Sequence, residues 1–251
     1  SPGYNTSKKL LDRLGLKGVL RSDVIVGSGV EAYETLDKAL DSIAMSKFED
    51  AERLISQLRT MFYSNVEINN IVLEYLEIWL QMLKDEVEFS EVVNRLESLL
   101  PFKYSEIGKY KYLVKHERMI LSTYIECLGK MEKYEAITDY DKMTSWITNE
   151  LSKKQFASIF EDLNMRYANL YGNAGHYEES DRIAEEGIRI EIECERMHCL
   201  NTLLYCRAWN AGERGNVSEN DKELCRCAYE IAKLKKQNIR MGLYRRWLEK
   251  Q

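Results

Sequence analysis

The stretch that decides the fold is RYANLYGNAGHYEESDRIAEEGI, residues 166–188. Its first half carries apolar and aromatic residues at helical spacing, and a short polar turn around Gly175 separates it from a second helical half. Small Ala168 sits in the first half, Tyr171 lies about one turn on, and Tyr177 opens the second half. A small residue lets two helices approach, and an aromatic ring fills the gap beside it.

Working outward, the same arrangement recurs as SKFEDA around Phe48, VEFSEV around Phe89, EKYEAI around Tyr134 and GNVSEN around Val217. The five anchors are 41, 45, 43 and 40 residues apart. A period of this length means a solenoid, in which each unit buries its apolar face by stacking on its neighbours. Ala39, Met45, Phe48 and Ala51 take the equivalent places in the first unit; in the fifth, Val217 replaces the aromatic and Asn220 the small residue.

The periodicity predicts paired helices. Tyr33–Met45 pairs with Glu49–Phe62, and Glu67–Lys84 with Ser90–Leu100, closed by Pro101. One long helix, Ile107–Lys130, pairs with Tyr134–Leu151. Phe156–Asn173 pairs with Glu178–Glu195, and His198–Glu213 with Ser218–Lys235. The last segment, IRMGLYRRWLEK, is a terminal cap with Leu243, Trp247 and Leu248 on its apolar face. Residues 1–30 fit no repeat: Leu10, Leu11 and Leu14 mark a short amphipathic helix ended by Gly15 and Gly18, and VIVGSGVE reads as a linker. The chain opens without Met, so processing, truncation or a tag remnant is expected there.

Two prolines, Pro2 and Pro101, leave long helices uninterrupted. No run approaches the roughly 18 apolar residues of a membrane span; the richest stretch, Ile71–Leu83, is broken by Glu74, Glu77 and Gln81. The six cysteines lie inside helical patterns, which suits reduced thiols in a cytoplasmic protein. The net charge of −5 divides into +3 over residues 1–30, −14 over 31–221 and +6 over 222–251. So acidic a middle repels nucleic acid phosphates.

The order small–aromatic–Gly–aromatic–Ala resembles the tetratricopeptide repeat, with a period longer than the usual ~34. The implied fold class is all-α: a tetratricopeptide-like right-handed superhelical solenoid of about five helix pairs plus a capping helix, over residues 31–251. A second resemblance covers the two ends. YNTSKKLLDRLGL, with Leu10-Leu11-Asp12-Arg13-Leu14-Gly15, resembles the segment that follows the helix-turn-helix domain in Xre-type regulators. Residues 166–188, LLYCRAWNAGERG and CAYEIAKLKKQ resemble the C-terminal repeats of Rgg/PlcR-type peptide-sensing regulators. The resemblance implies a ligand-sensing and oligomerisation domain, a short peptide as ligand, a homodimer, and DNA contact only through a domain preceding residues 1–30. The rival reading is a scaffold that docks a partner protein's tail and has no link to DNA.

Chemistry by catalysis is not expected. With His116, His176 and His198 the only histidines, nothing in the spacing sets up a nucleophile and base, and VGSGVE lacks the spacing of a phosphate loop. No metal or cofactor is expected either: Cys194, His198 and Cys199 lie close along the chain, with Cys206 two turns on, but ordinary helical thiols explain them. Cys225 and Cys227 point to different faces of one helix.

Binding is expected on the first helix of each unit. Phasing by the anchors turns inward Tyr33 and Leu40, then Glu74, Glu77 and Gln81, then Ser122 and Glu126. Further along it turns inward Asp162, Met165, Asn169 and Asn173, then Thr202, Tyr205 and Trp209. The predicted groove is therefore Glu77, Gln81, Glu126, Asp162, Asn169, Asn173, Tyr205 and Trp209, centred on the last four. A carboxamide donates and accepts at once, which suits an extended peptide backbone, and the two aromatics offer apolar platforms. Their burial under the cap helix is the competing reading.

Overall fold

Among the described residues, seven helix ends close in one way. The second residue past each end takes a positive φ, at Ser46, Asp85, Glu132, Gly175, Glu195, Gly215 and Lys236. Two backbone bonds then fold back, as Gly175 N–H to Gly172 O at 2.9 Å and His176 N–H to Tyr171 O at 2.8 Å. This satisfies carbonyls the helix leaves open and turns the chain sharply. The repeat is thus written in backbone conformation, and only two of the seven positions are glycine.

The computed structural model describes residues 29–109, 113–136, 140–144 and 157–251. The expected helix at Leu10–Leu14, Ile137, residues 145–151 and Phe156 lie outside the described residues. Every regular element among the described residues is helical: the chain is an all-α, tetratricopeptide-like solenoid of helix pairs. The elements are α1 Val30–Ala44, α2 Phe48–Met61, α3 Glu67–Leu83, α4 Phe89–Leu99, α5 Lys115–Lys130, α6 Tyr140–Thr144, α7 Ala157–Asn173, α8 Tyr177–Glu193, α9 Leu200–Glu213, α10 Glu219–Leu234 and α11 Asn238–Lys250. Contacts divide the chain into two compact units, Ser1–Leu121 and Ser122–Gln251.

In the first unit, α1 packs on α2, α2 on α3 and α3 on α4. Ala39 and Ala51 are fully buried, as small residues at a helix contact should be. Leu36 and Ile43 of α1 and Leu54, Ile55 and Leu58 of α2 complete that contact. The middle helix α3 is buried almost all round, through Val72, Tyr75, Leu76, Ile78, Leu80 and Met82.

In the second unit, α7 and α9 form a layer of first helices, and α8 and α10 pack behind them. The terminal helix α11 closes the stack against α10. Leu200, Leu204 and Ala208 of α9, Cys225, Ala228 and Ala232 of α10, and Tyr244 and Trp247 of α11 form one core cluster.

Four expectations need correction. The long helix from Ile107 is broken: Tyr104–Lys109 is a 3-10 segment, and α5 starts at Lys115. Gly108 within that segment disfavours a continuous helix, and buried Glu117 reaches back to cap the chain, its Oε2 accepting from Val114 N–H at 3.1 Å. Met45 is not a packed aromatic equivalent but an exposed cap residue. The helix expected from Ser218 starts at Glu219; Ser218 is its N-cap, in a capping box with Asp221. Tyr244 and Trp247, not Leu243, carry the buried face of α11. Val30 and Glu31, read as linker, begin α1, with Gly29 as its N-cap.

Candidate functional site

The predicted groove residues fall into three groups. Glu77 and Gln81 belong to the first unit and are held there. Glu77 pairs with Arg59 of α2, and Gln81 Oε1 accepts from Arg95 Nη1 at 2.8 Å. Both side chains are half-buried, and two arginines already use their acceptors.

The second group lies on α7. Leu163, Asn164, Tyr167, Ala168 and Leu170 face the core. Asp162, Met165, Asn169 and Asn173 form the less buried stripe one helical turn apart. Asn169 is half-buried and Asn173 exposed at the helix end. Arg166 of the same helix donates from Nη1 to Glu126 Oε2 at 2.5 Å and from Nε to Ser122 Oγ at 2.9 Å, so it ties α7 to α5. Glu126 therefore serves a cation from within the chain, and Arg166 is a residue that the sequence reading missed.

The third group lies on α9. Tyr205 and Trp209 are half-buried, not free. The Tyr205 ring packs on Tyr244 of α11 at 4.5 Å between centroids, and burial pushes its phenol pKa up. Trp209 meets the Tyr177 ring edge-on at 6.2 Å. Both line a cleft of about 250 Å³ between α9 and α11, walled further by Leu243 and Trp247 and rimmed by Arg246 and Lys250. Asn169 and Asn173 are not among its walls.

A close approach of α7 and α9 joins the second and third groups. A Cβ on Gly172 would come within 2.9 Å of Asn210 Oδ1 and 3.2 Å of the Trp209 ring. Buried Asn210 donates to Ser180 Oγ at 2.8 Å and to Asp181 Oδ1 at 2.7 Å, and Ser180 Oγ donates to the Ala168 carbonyl at 2.7 Å. This polar bracket fixes α7, α8 and α9 in one register. The stripe carrying Asn169 and the stripe carrying Tyr205 and Trp209 are thus on neighbouring first helices of one rigidly bracketed unit.

At the other end of these helices the chain turns from α8 to α9 across Cys194–Cys199. Buried Glu191 accepts from Cys199 N–H at 2.6 Å, and buried Glu161 is ion-paired with Arg196. Lys235 donates to the carbonyls of Met197 and His198, the latter at 2.9 Å, and burial lowers its pKa. The turn brings His198 and Cys199 onto Asp162 of α7. Cys194 and Cys206 stay apart from them; Cys206 packs its sulfur 3.4 Å from Ser180 Oγ. Cys225 is buried and Cys227 exposed, so the two take different faces of α10 as their spacing implies.

The fold defines the class first: an all-helical, tetratricopeptide-like repeat domain built of helix pairs. The particular likenesses are two. A crystal structure of Bacillus thuringiensis PlcR in complex with the peptide PapR7 and DNA is similar at a TM-score of 0.69 and 12% identity, over 97% of this chain and 85% of that one. ComR from S. thermophilus, in complex with DNA and its signalling peptide ComS, is similar at 0.65 and 12%, over 98% of this chain and 84% of that one. The resemblance to regulators of the Rgg/PlcR type thus holds at the level of the fold. No family model matches the chain, and no curated protein matches it.

Proposed function

We propose that this chain is the ligand-sensing and oligomerisation part of a transcription regulator, and that it binds a short peptide. The observation that carries this reading is the fold match along nearly the whole chain to two proteins each solved with a peptide and DNA. The peptide lies extended along the first helices of the second unit. Asn169 and Asn173 exchange hydrogen bonds with its backbone, and Tyr205 and Trp209 support alternate side chains. The acidic middle of the chain favours a basic or N-terminally charged peptide. Residues 1–30 connect the repeats to a preceding helix-turn-helix domain, which makes the DNA contact. The regulator works in the cytoplasm as a homodimer and is not an enzyme; among the described residues no helix is long and apolar enough to cross a membrane.

The test is selection of binders from a displayed library of random short peptides, followed by native mass spectrometry with an enriched peptide. Related sequences should be enriched, and a dimer should carry one peptide per chain. Residues 1–251 alone should not shift DNA in a sequence-specific manner. No enrichment, or tight sequence-specific DNA binding by this chain alone, contradicts it.

A further inference from the structure

We propose that Asp162, His198 and Cys199 bind a divalent cation of the zinc class at the corner between α8 and α9. One ligand atom from each of the three lies within 4.8 Å of the other two. His198 Nε2 is 3.8 Å from Asp162 Oδ1, and Cys199 Sγ is 3.9 Å from the same oxygen. Tetrahedral zinc holds S, N and O ligands at about 2.0–2.3 Å, which separates the ligand atoms by roughly 3.4–3.6 Å. Closing the observed spacing onto an ion takes only a modest side-chain adjustment. His198, 68% exposed, is free to swing inward, while buried Cys199 supplies the fixed point.

Buried Glu191 is the second observation. Its Oε1 accepts from the Cys199 backbone, but its Oε2 has no hydrogen-bond partner among the described residues. The carboxylates of Asp162, Glu161 and Glu191 gather around the Cys199 thiol, with the Arg196 and Lys235 cations as their counter-charges. A dication held by Asp162, His198 and Cys199 would add to that balance, with Glu191 fixing the cysteine backbone from behind as outer-shell groups do. The donor set also selects the metal. Sulfur and imidazole disfavour magnesium and calcium, which take oxygen ligands, and favour zinc. Three protein ligands leave the fourth position to water. Bound there, the ion ties the start of α9 to α7, the two helices that carry the proposed peptide stripe. The metal site itself does not depend on that function.

The experiment uses the whole chain, stripped with a chelator and titrated with Zn²⁺ against a chromophoric chelator, then loaded with Co²⁺. One tight equivalent of zinc is expected. Co²⁺ should give a sulfur-to-metal charge-transfer band and tetrahedral visible bands. Cys199→Ser removes the charge-transfer band, and His198→Gln and Asp162→Asn weaken zinc binding at least tenfold. Glu191→Gln weakens it about 10- to 100-fold. At a fixed zinc concentration the melting temperature rises less in His198→Gln than in the parent, and the exposed position of His198 makes that variant safe for folding. Cys194→Ser and Cys227→Ser leave every signal unchanged. Absence of a thiolate band, zinc affinity unaltered by His198→Gln, or a band that disappears with Cys194→Ser or Cys227→Ser overturns the site.

Discussion

The Arg166 guanidinium grips the Glu126 carboxylate, with Nη1 2.5 Å from Oε2, while its Nε donates to Ser122. Both partners are about three-quarters covered, with side chains 23% and 26% exposed. Such a pair is screened less than a surface pair, and removing one partner strands the other. Arg166→Ala should therefore destabilise the chain by about 1.5–3 kcal/mol, the usual range for charge-assisted hydrogen bonds. Urea unfolding of Arg166→Ala, Glu126→Gln and the double variant measures it. The double variant should cost less than the sum of the singles; strict additivity would show that the two side chains do not interact.

The turn residues predict opposite signs for two glycine exchanges. Glu195 takes φ 55° with a side chain exposed to solvent, and Gly175 takes φ 81° with open space around a would-be Cβ. A left-handed conformation costs a non-glycine residue roughly 1–2 kcal/mol, offset in part by the chain entropy of glycine. Glu195→Gly should raise stability by about 0.5–1 kcal/mol and Gly175→Ala should lower it by about 1 kcal/mol. Thermal melts decide this. A destabilised Glu195→Gly would mean that its turn is not held as described.

These turns also show how far the sequence is legible. Phe48, Phe89 and Tyr177 each open a second helix, so the aromatic anchors mark the repeat correctly. The helix ends are harder to read. Five of the seven left-handed residues are Ser, Asp, Glu or Lys, which carry no glycine signal. The N-caps Lys47, Val66, Glu88, His176 and Gln237 make no side-chain cap bond, so they carry no capping signal either. Acidic residues in the first turn, such as Glu49 and Asp50, or Glu178 and Glu179, favour the helix dipole there. The face of α7 was legible from its period. The use of Glu77 by Arg59, of Gln81 by Arg95 and of Glu126 by Arg166 was not, because those partners are remote in sequence. The meeting of Asp162 with His198 and Cys199 was hidden for the same reason.

The thiols predict a pH dependence. Burial pushes Cys206 to about 11 and Cys127 and Cys225 to about 12, from an ordinary 9.0. The folded chain holds these protons more tightly than the unfolded chain. Stability from this source is complete below pH 9.0 and is lost as pH rises toward the folded values. Alkaline melts should fall over that window, and less so in Cys206→Ala. At mild pH a thiol reagent should label exposed Cys227 at once and Cys127, Cys206 and Cys225 only on unfolding. Rapid labelling of Cys206 in the folded chain would contradict its burial.

The central claim, that the face carrying Asn169 and Tyr205 receives a short peptide, is tested most directly by titrating one selected peptide into the parent, Asn169→Ala and Tyr205→Ala. Losing an amide contact costs about 1–3 kcal/mol, which is roughly 5- to 150-fold in affinity. The account predicts a loss in that range for Asn169→Ala and a clear loss for Tyr205→Ala, with helical content and melting temperature of Asn169→Ala unchanged. Equal affinity in the parent and both variants would contradict it.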